Sequence, residues 1–257
     1  MVPRVLTIAT SDSGGGAGIQ ADLKAFAAAG AHGTSVLVAL TAQNTVGVTA
    51  VHEVPQEFVR AQLDAVFEDI GVDAAKTGML FSRATIMTVA SYLLAHPVAL
   101  VVDPVMVASS GAKLLEDDAV DVLVRELFPL ATVVTPNLPE ARALTGVDGP
   151  PRELAERIVQ LGAAAVIVTG GHGDEVVDHF FDGDEHVEIP VERHAVAATH
   201  GSGCTHSATL AVLLARGLDL EAAARGAAEA ASRAVAQGLV EIGAGEGPVD
   251  ILGVRTR

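Results

Sequence analysis

The hydrophobic pattern of this chain predicts an α/β fold, with a mainly parallel sheet covered by helices on both faces. Three observations carry that expectation. Short β-branched runs alternate with alanine-rich stretches of helical period. The runs are apolar throughout, as strands buried on both faces are. Gly30, Gly71 and Gly162 stand where helix C-termini are expected, since glycine adopts the left-handed conformation that ends a helix.

In chain order, residues 5–9 form a first buried strand and 19–29 the helix behind it. Residues 34–40 are again β-branched and apolar, and 56–68 follow with helical spacing. A helix over 83–95 precedes a strand over 99–102, and a helix over 117–127 precedes a strand over 132–135. Asn137, with Glu140 three residues on, is the pattern of a capping box and starts a further helix. Residues 152–161 are helical and 164–169 form the next strand. Residues 176–181 and 186–190, separated by Asp182-Gly183-Asp184-Glu185, read as an appended hairpin. A strand-like segment leads into Thr199–Ser207, and the longest alanine-rich helical stretch covers 221–238. The breaker cluster at 146–151 only separates two helices. A single domain over 1–257 is expected.

The 257 residues carry a formal net charge of −16, and aromatics make up only 3%, with no Trp. An acidic surface without stacking platforms argues against nucleic-acid and anionic-membrane partners. No run is long and apolar enough to span a membrane, and residues 1–10 lack the layout of a secretory signal. The single cysteine excludes an internal disulfide or a multi-cysteine metal site. A soluble cytoplasmic protein is the expectation.

The most informative stretch is Thr199-His200-Gly201-Ser202-Gly203-Cys204-Thr205-His206-Ser207. A Gly-x-Gly turn opening a helix directs backbone N–H groups and the positive end of the helix dipole at one point, which suits a phosphate. Cys204, at the mouth of this turn, would by itself read as a buried small hydrophobe, but its place at a helix N-terminus favours a lowered thiol pKa. Asp12-Ser13-Gly14-Gly15-Gly16-Ala17-Gly18 is neither a dinucleotide fingerprint nor a Walker loop, but four glycines in five residues favour close approach by a ligand. Gln43-Asn44 after a strand offers a donor and an acceptor to a heterocycle edge, although an ordinary polar loop reads the same way. Asp103, in Asp103-Pro104 at a strand end, is either a turn initiator or a carboxylate within reach of Mg²⁺. Asn137 and Glu140 serve equally as caps or as holders of hydrated Mg²⁺. Thr169-Gly170-Gly171-His172-Gly173 leaves room for a nucleotide or simply turns the chain. The histidines show no metal-binding spacing.

Seven segments in one order resemble the hydroxymethylpyrimidine/phosphomethylpyrimidine kinases of the ribokinase-like superfamily. They are the 12–24 segment, Ala42-Gln43-Asn44-Thr45, Lys76-Thr77-Gly78-Met79-Leu80, Asp103-Pro104-Val105-Met106-Val107, Thr135-Pro136-Asn137-Leu138-Pro139-Glu140-Ala141, Gly170-Gly171-His172 and His200-Gly201-Ser202-Gly203-Cys204-Thr205. The resemblance implies a three-layer α/β/α fold and ATP- and Mg²⁺-dependent phosphorylation of 4-amino-5-hydroxymethyl-2-methylpyrimidine, then of its monophosphate, in thiamine biosynthesis. It implies that Gln43 binds the aminopyrimidine, in a pocket lined by Ala17, Met79 and Val105 beside the Asp12 loop. Gly201, Ser202 and Gly203 would form the anion hole, with Cys204 where sugar kinases place a base. Glu140 and Asp103 would serve Mg²⁺, while Asn137, Thr169 and Gly171 would lie on the ATP side. A homodimer is also implied.

The chain departs from the family pattern at Thr10, where Gly is usual, and at Ser109, Thr169 and Ala197, where Lys is common. Fewer ammonium groups weaken the case for the doubly charged monophosphate. Two other readings stay open on the sequence: a pyridoxal or pyridoxine kinase, and a non-catalytic pyrimidine-binding protein of the same fold.

Overall fold

A nine-stranded sheet runs through the molecule in the order β3-β2-β1-β4-β5-β6-β7-β8-β9. The computed structural model describes residues 1–106, 119–170 and 176–256. Strands β1 (Arg4–Asp12), β2 (His32–Asn44), β4 (Ala74–Thr77), β5 (Ala99–Val102), β6 (Val133–Val134) and β7 (Val166–Val168) are parallel. Strand β3 (Gly47–Glu53) is antiparallel on one edge, and the hairpin of β8 (Val177–Phe181) and β9 (His186–Pro190) extends the other. Asp182 Oδ1 accepts the amides of Asp184 and Glu185 at 3.0 and 2.8 Å, which closes the hairpin turn. Pro190 sits on the edge strand, where its missing N–H breaks no interior ladder.

Successive side chains on each strand enter different cores. Leu6, Ile8, Val102, Val134, Val166 and Val168 pack against α2 (Gln56–Ala65), α3 (Arg83–Ala95), α4 (Ala119–Leu127), α5 (Leu138–Thr145) and α6 (Pro151–Gln160). Val5, Val101, Val133 and Ile167 pack against α1 (Gly18–Ala28), α7 (Ser202–Ala215) and α8 (Leu220–Ala236). Burial on both faces explains why these runs are apolar without alternation. On the second face the alanines of α7 and α8 let those helices lie close together.

The structure amends the sequence reading at several places. Strand β2 is longer than 34–40, and β3 and β4 had no counterpart among the expected strands. Helix α2 ends at Ala65 and continues as a π-helical turn, Val66–Ile70. The segment before α7 is not a strand; only an isolated bridge joins His200 to Pro248. The start of the helix expected over 117–127 and the loop containing Ser109 lie outside the described residues.

Strand order places β1 between β2 and β4, so the chain leaves β1 first to one side and later to the other. In an open α/β sheet, a ligand crevice forms beyond the carboxyl ends of the strands at such a reversal. The ends of β1, β2, β4, β5, β6 and β7 all deliver residues to that rim.

Candidate active site

A cavity of about 760 Å³ opens at this rim. Its walls come from the ends of the parallel strands, the N-termini of α1, α5 and α7, and one side of α8. Gln43 and Cys204, far apart in sequence, both line it. So do Ala17, Met79, Val105 and Asp12 near one end, and Gly201, Ser202 and Gly203 at the turn into α7. Asp103, Asn137, Glu140 and Thr169 complete the expected set. Gly171 lies outside the described residues.

The phosphate-type turn is built from two glycine segments packed together. Gly201 is the N-cap of α7 with φ 86°, a left-handed conformation that glycine adopts without strain. A Cβ at Gly201 would overlap the Gly16 carbonyl oxygen, and one at Gly16 would overlap the His200 ring. Among the described residues the turn leaves the Gly203 and Cys204 amides without a backbone acceptor, while Ser202 N donates to Thr199 O at 3.1 Å. Free N–H groups at a helix start, inside a cavity, form an anion seat.

Asp12 organises the glycine loop. Its Oδ1 accepts Gly14 N at 2.7 Å, and its Oδ2 accepts Gly16 N at 3.1 Å and Ala17 N at 2.9 Å. His200 Nε2 lies 3.2 Å from the same oxygen. Burial works against the charge, but the donors from His200, Ala17 and Gly14 outweigh it and hold Asp12 below the ordinary carboxylate range. Asp12 also lines the cavity, so its carboxylate shapes the loop at the same place where a contact with the pyrimidine is expected.

Gln43 is held from behind. Its backbone N donates to Ser13 Oγ at 2.8 Å, and its backbone oxygen accepts from the same hydroxyl at 2.7 Å. The Thr41 hydroxyl lies 3.0 Å from Ser11 O and 3.1 Å from the Gln43 side-chain amide. A hydroxyl has one proton, and a backbone carbonyl can only accept, so Thr41 donates to Ser11. Its oxygen is then best met by the amide NH₂ of Gln43, a simple flip of the side chain. That orientation turns the Gln43 carbonyl oxygen toward the cavity.

The capping box around α5 is complete. Glu140 N donates to Asn137 Oδ1 at 2.9 Å, and Asn137 N donates to Glu140 Oε2 at 3.0 Å. Burial first, and then the negative charge of Asp103, push the Glu140 carboxyl up to about 8 against the amides of Asn137 and Met106. A carboxyl held up in this way by a neighbouring carboxylate is suited to a cation. Among the described residues no group of three or more His, Cys, Asp or Glu side chains could hold a metal. That donor set fits Mg²⁺, which keeps most of its waters and takes one or two carboxylates together with phosphate oxygens.

The expectation of a lowered Cys204 pKa is overturned. Burial, reinforced by the charges of Asp22 and Asp103, drives the thiol up to about 12, against the opposing effects of Lys76 and the Gly18 amide. The residue keeps some exposure to the cavity, but it is a thiol rather than a thiolate at neutral pH. The helix terminus alone is too weak to reverse desolvation.

Beneath Cys204 lies a cluster that sequence reasoning missed. Lys76 is fully buried, with Nζ 2.9 and 3.0 Å from the Asp22 carboxylate and 3.6 Å from Asp103 Oδ2. Thr7 donates to Asp22 at 2.6 Å, and Ser207 donates to Asp103 at 2.8 Å. Burial opposes the Lys76 charge, but Asp22, Cys204 and Asp103 overcome it and keep the ammonium protonated. One cue was present in the sequence. Asp22 lies among Ile19, Ala21, Ala25 and Phe26 on the buried stripe of α1, and a charge there requires a partner.

The Thr10 hydroxyl donates to Met79 O at 3.1 Å and faces the cavity.

Comparison with known proteins agrees with this geometry. The family model for phosphomethylpyrimidine kinase matches residues 12–250. The hydroxymethylpyrimidine/phosphomethylpyrimidine kinase of Rhizobium meliloti is 52% identical, with 97% of each chain covered. Its namesake in Bacillus subtilis is 42% identical, covering 96% of this chain and 94% of the relative. Among solved structures, a pyridoxal kinase of Bacillus subtilis in complex with ADP superposes with a TM-score of 0.91 at 35% identity, over the whole of both chains. A phosphomethylpyrimidine kinase of Clostridium difficile gives a TM-score of 0.79 at 40% identity, covering 88% of this chain and 96% of that one.

Proposed function

The chain belongs to the phosphomethylpyrimidine kinase family, and from that premise we propose that it transfers the γ-phosphoryl group of ATP to the hydroxymethyl group of 4-amino-5-hydroxymethyl-2-methylpyrimidine, and then to the resulting monophosphate. The observation that carries this reading is the single cavity that has Gln43 on one wall and the Gly201–Cys204 turn on another. A heterocycle reader and an anion seat lining one cavity are what this reaction needs.

The Gln43 carbonyl oxygen accepts a hydrogen bond from the exocyclic amino group, with Met79, Val105 and Ala17 against the ring. The amides of Gly203 and Cys204 receive the oxygens of the migrating phosphoryl group. Asn137 and Thr169 lie toward the nucleotide. Asp103 and Glu140 are the residues that would hold Mg²⁺, which would supply charge neutralisation at the phosphate oxygens. Phosphoryl transfer passes through a loose transition state and demands more of position and charge than of a strong base. A neutral Cys204 thiol fits that demand: it orients the attacking hydroxyl without having to abstract its proton first. Action as a cytoplasmic homodimer belongs to the same proposal and rests on the family resemblance.

A phosphorus NMR time course with the pyrimidine alcohol, ATP and Mg²⁺ tests the assignment. Monophosphate followed by diphosphate is the expected sequence of products; consumption of ATP with neither product would overturn it. The close match to pyridoxal kinases favours one competing reading, phosphorylation of pyridoxal. Pyridoxal lacks the amino group that Gln43 is turned to receive, so a side-by-side rate assay is expected to favour the pyrimidine. A preference for pyridoxal would reverse the assignment.

A further inference from the structure

On the wall of the cavity away from Gln43, a polar pair remains outside the chemistry described above. His206 on α7 is 4% exposed, lines the cavity, and has neither ring nitrogen hydrogen-bonded. Asp178 on β8 is 5% exposed and also lines the cavity. Its Oδ1 accepts Gly170 N at 2.9 Å, which fixes the carboxylate and turns Oδ2 toward His206. The gap from Oδ2 to His206 Nε2 is 3.5 Å, and the contact does not meet hydrogen-bond geometry. A buried imidazole with two idle nitrogens costs free energy unless something completes it.

The chemistry of the missing partner follows from the pair. A carboxylate oxygen can only accept, so the ligand must donate to Asp178. A neutral imidazole offers one donor and one acceptor, so the ligand must also accept or donate at a neighbouring atom. A phosphate donates nothing and would meet the Asp178 charge, which excludes the polyphosphate itself. Two adjacent hydroxyls satisfy both requirements. The surrounding wall suits the rest of a nucleoside, because Ala228, Ala231 and Val235 of α8 present a small, apolar face on which a flat base can lie.

We propose that His206 and Asp178 form a receptor for the vicinal hydroxyls of the nucleotide's ribose. The pair thereby makes the enzyme selective for ribonucleotides over deoxyribonucleotides as phosphoryl donors. This deepens the kinase reading and rests on it. Asp178 accepts from one hydroxyl, and an imidazole N–H donates to the other. Neither residue touches the reacting atoms; both set where the nucleotide's sugar sits, and so where its terminal phosphate arrives at the Gly203 and Cys204 amides.

The test is steady-state kinetics with ATP, 2′-deoxy-ATP, 3′-deoxy-ATP and GTP on the full chain and on the His206→Leu and Asp178→Asn variants. The parent is expected to use ATP about tenfold better in kcat/KM than either deoxy analogue, the loss expected for one hydrogen bond. Each variant is expected to lower kcat/KM for ATP while leaving the deoxy analogues nearly unchanged, so that the ratio falls toward one. KM for the pyrimidine should stay within about twofold in both. A merely structural role would depress all nucleotides together and leave the ratio intact, which overturns the proposal. Equal use of ATP and its deoxy analogues by the parent overturns it as well. If the variants instead change the ratio of ATP to GTP, the pair reads the base and the ribose assignment is wrong. A parent that turns over none of the four nucleotides refutes the kinase reading itself, a result distinct from the other three.

Discussion

Replacing Lys76 with methionine removes the one positive charge from the buried cluster and leaves the Asp22 carboxylate without its ion-pair partner. Lys76 and Asp22 both have 0% side-chain exposure, so water cannot substitute for the lost ammonium. Breaking one side of such a pair typically costs about 3–5 kcal/mol, because a charge remains buried without compensation. For a chain of this size each kcal/mol corresponds to roughly 2–4 °C in Tm, so a fall of about 6–20 °C is expected. Asp22→Asn on its own should also destabilise, since it leaves the ammonium facing Asp103 alone at 3.6 Å. Combining the two substitutions removes both halves of the pair and should cost less than their sum, with a coupling of about 1.5 kcal/mol or more. The assay is thermal melting of the four proteins at one pH, repeated in urea. Because the folded-state pKa of Lys76 is raised, its stabilisation is fully present below the ordinary lysine value of about 10.4 and is lost only as pH rises beyond it. Neutral buffers therefore report the full effect. A Lys76→Met protein melting within about 3 °C of the parent, or strictly additive single substitutions, would refute the role assigned to the cluster.

Four further outcomes follow from the site. Cys204→Ala should lower kcat by about tenfold to a hundredfold, a typical span for a lost positioning or proton-transfer group, while ATP affinity stays within about twofold; unchanged turnover would remove the thiol from the chemistry. In the folded parent, iodoacetamide should alkylate this only cysteine slowly at pH 8, since its thiol is driven up to about 12, and rapidly in urea; equal rates would contradict the burial argument. Gly201→Ala places a Cβ against the Gly16 carbonyl oxygen at φ 86°, and should cost about 1–3 kcal/mol and raise KM for ATP; a protein with parental Tm and KM would show that the two glycine segments are not rigidly packed. Glu140 titrates in the fold at about 8, above its ordinary value, so without a divalent cation its contribution to stability is present at low pH and is lost as pH rises through about 8. Mg²⁺ should therefore stabilise the protein more at pH 8.5 than at pH 6, measured as the shift in Tm on adding the ion; a shift that does not grow with pH would argue against Glu140 as a ligand.

Much of this architecture could be read from the chain because its physical causes are local. The apolar runs of β5 and β7 announce strands buried on both faces, and Asn137 with Glu140 announces a helix start whose two reciprocal hydrogen bonds are both present. What escaped the sequence depends on partners far along the chain. Ala74-Ala75-Lys76-Thr77 has no β-branched character until its last residue, and a lysine in its middle argues against a central strand. Only Asp22, fifty-four positions away and facing it from α1, makes that lysine tolerable. Strand β3 is largely exposed, so it lacks the hydrophobic pattern of its neighbours. The segment before α7 has strand-like residues but forms only the isolated bridge from His200 to Pro248 among the described residues. The Cys204 pKa went the other way for a related reason: the helix terminus is visible in sequence, whereas the burial and the carboxylates of Asp22 and Asp103 are not.

The same distinction between local and distant charge bears on how so acidic a protein can hold a polyphosphate. A net charge of −16 creates a repulsive field, and the buried lysine does not relieve it at the phosphates, since its ammonium is already engaged by Asp22 and Asp103. Surface charges lying more than about 10 Å from the site are screened by salt, so their repulsion acts chiefly on approach. Within the cavity the deciding groups are the oriented amides of Gly203 and Cys204 and a cation beside Glu140 and Asp103, at distances where screening is weak. Such a site depends on its cation more steeply than one furnished with several lysines, and the dependence should be steepest for the monophosphate, which brings its own negative charge. Turnover of the monophosphate is accordingly expected to fall at higher Mg²⁺ concentrations than turnover of the alcohol as the ion is withdrawn, read from parallel titrations of rate against Mg²⁺. Identical Mg²⁺ dependence for the two substrates would mean that charge on the acceptor is met by the protein itself.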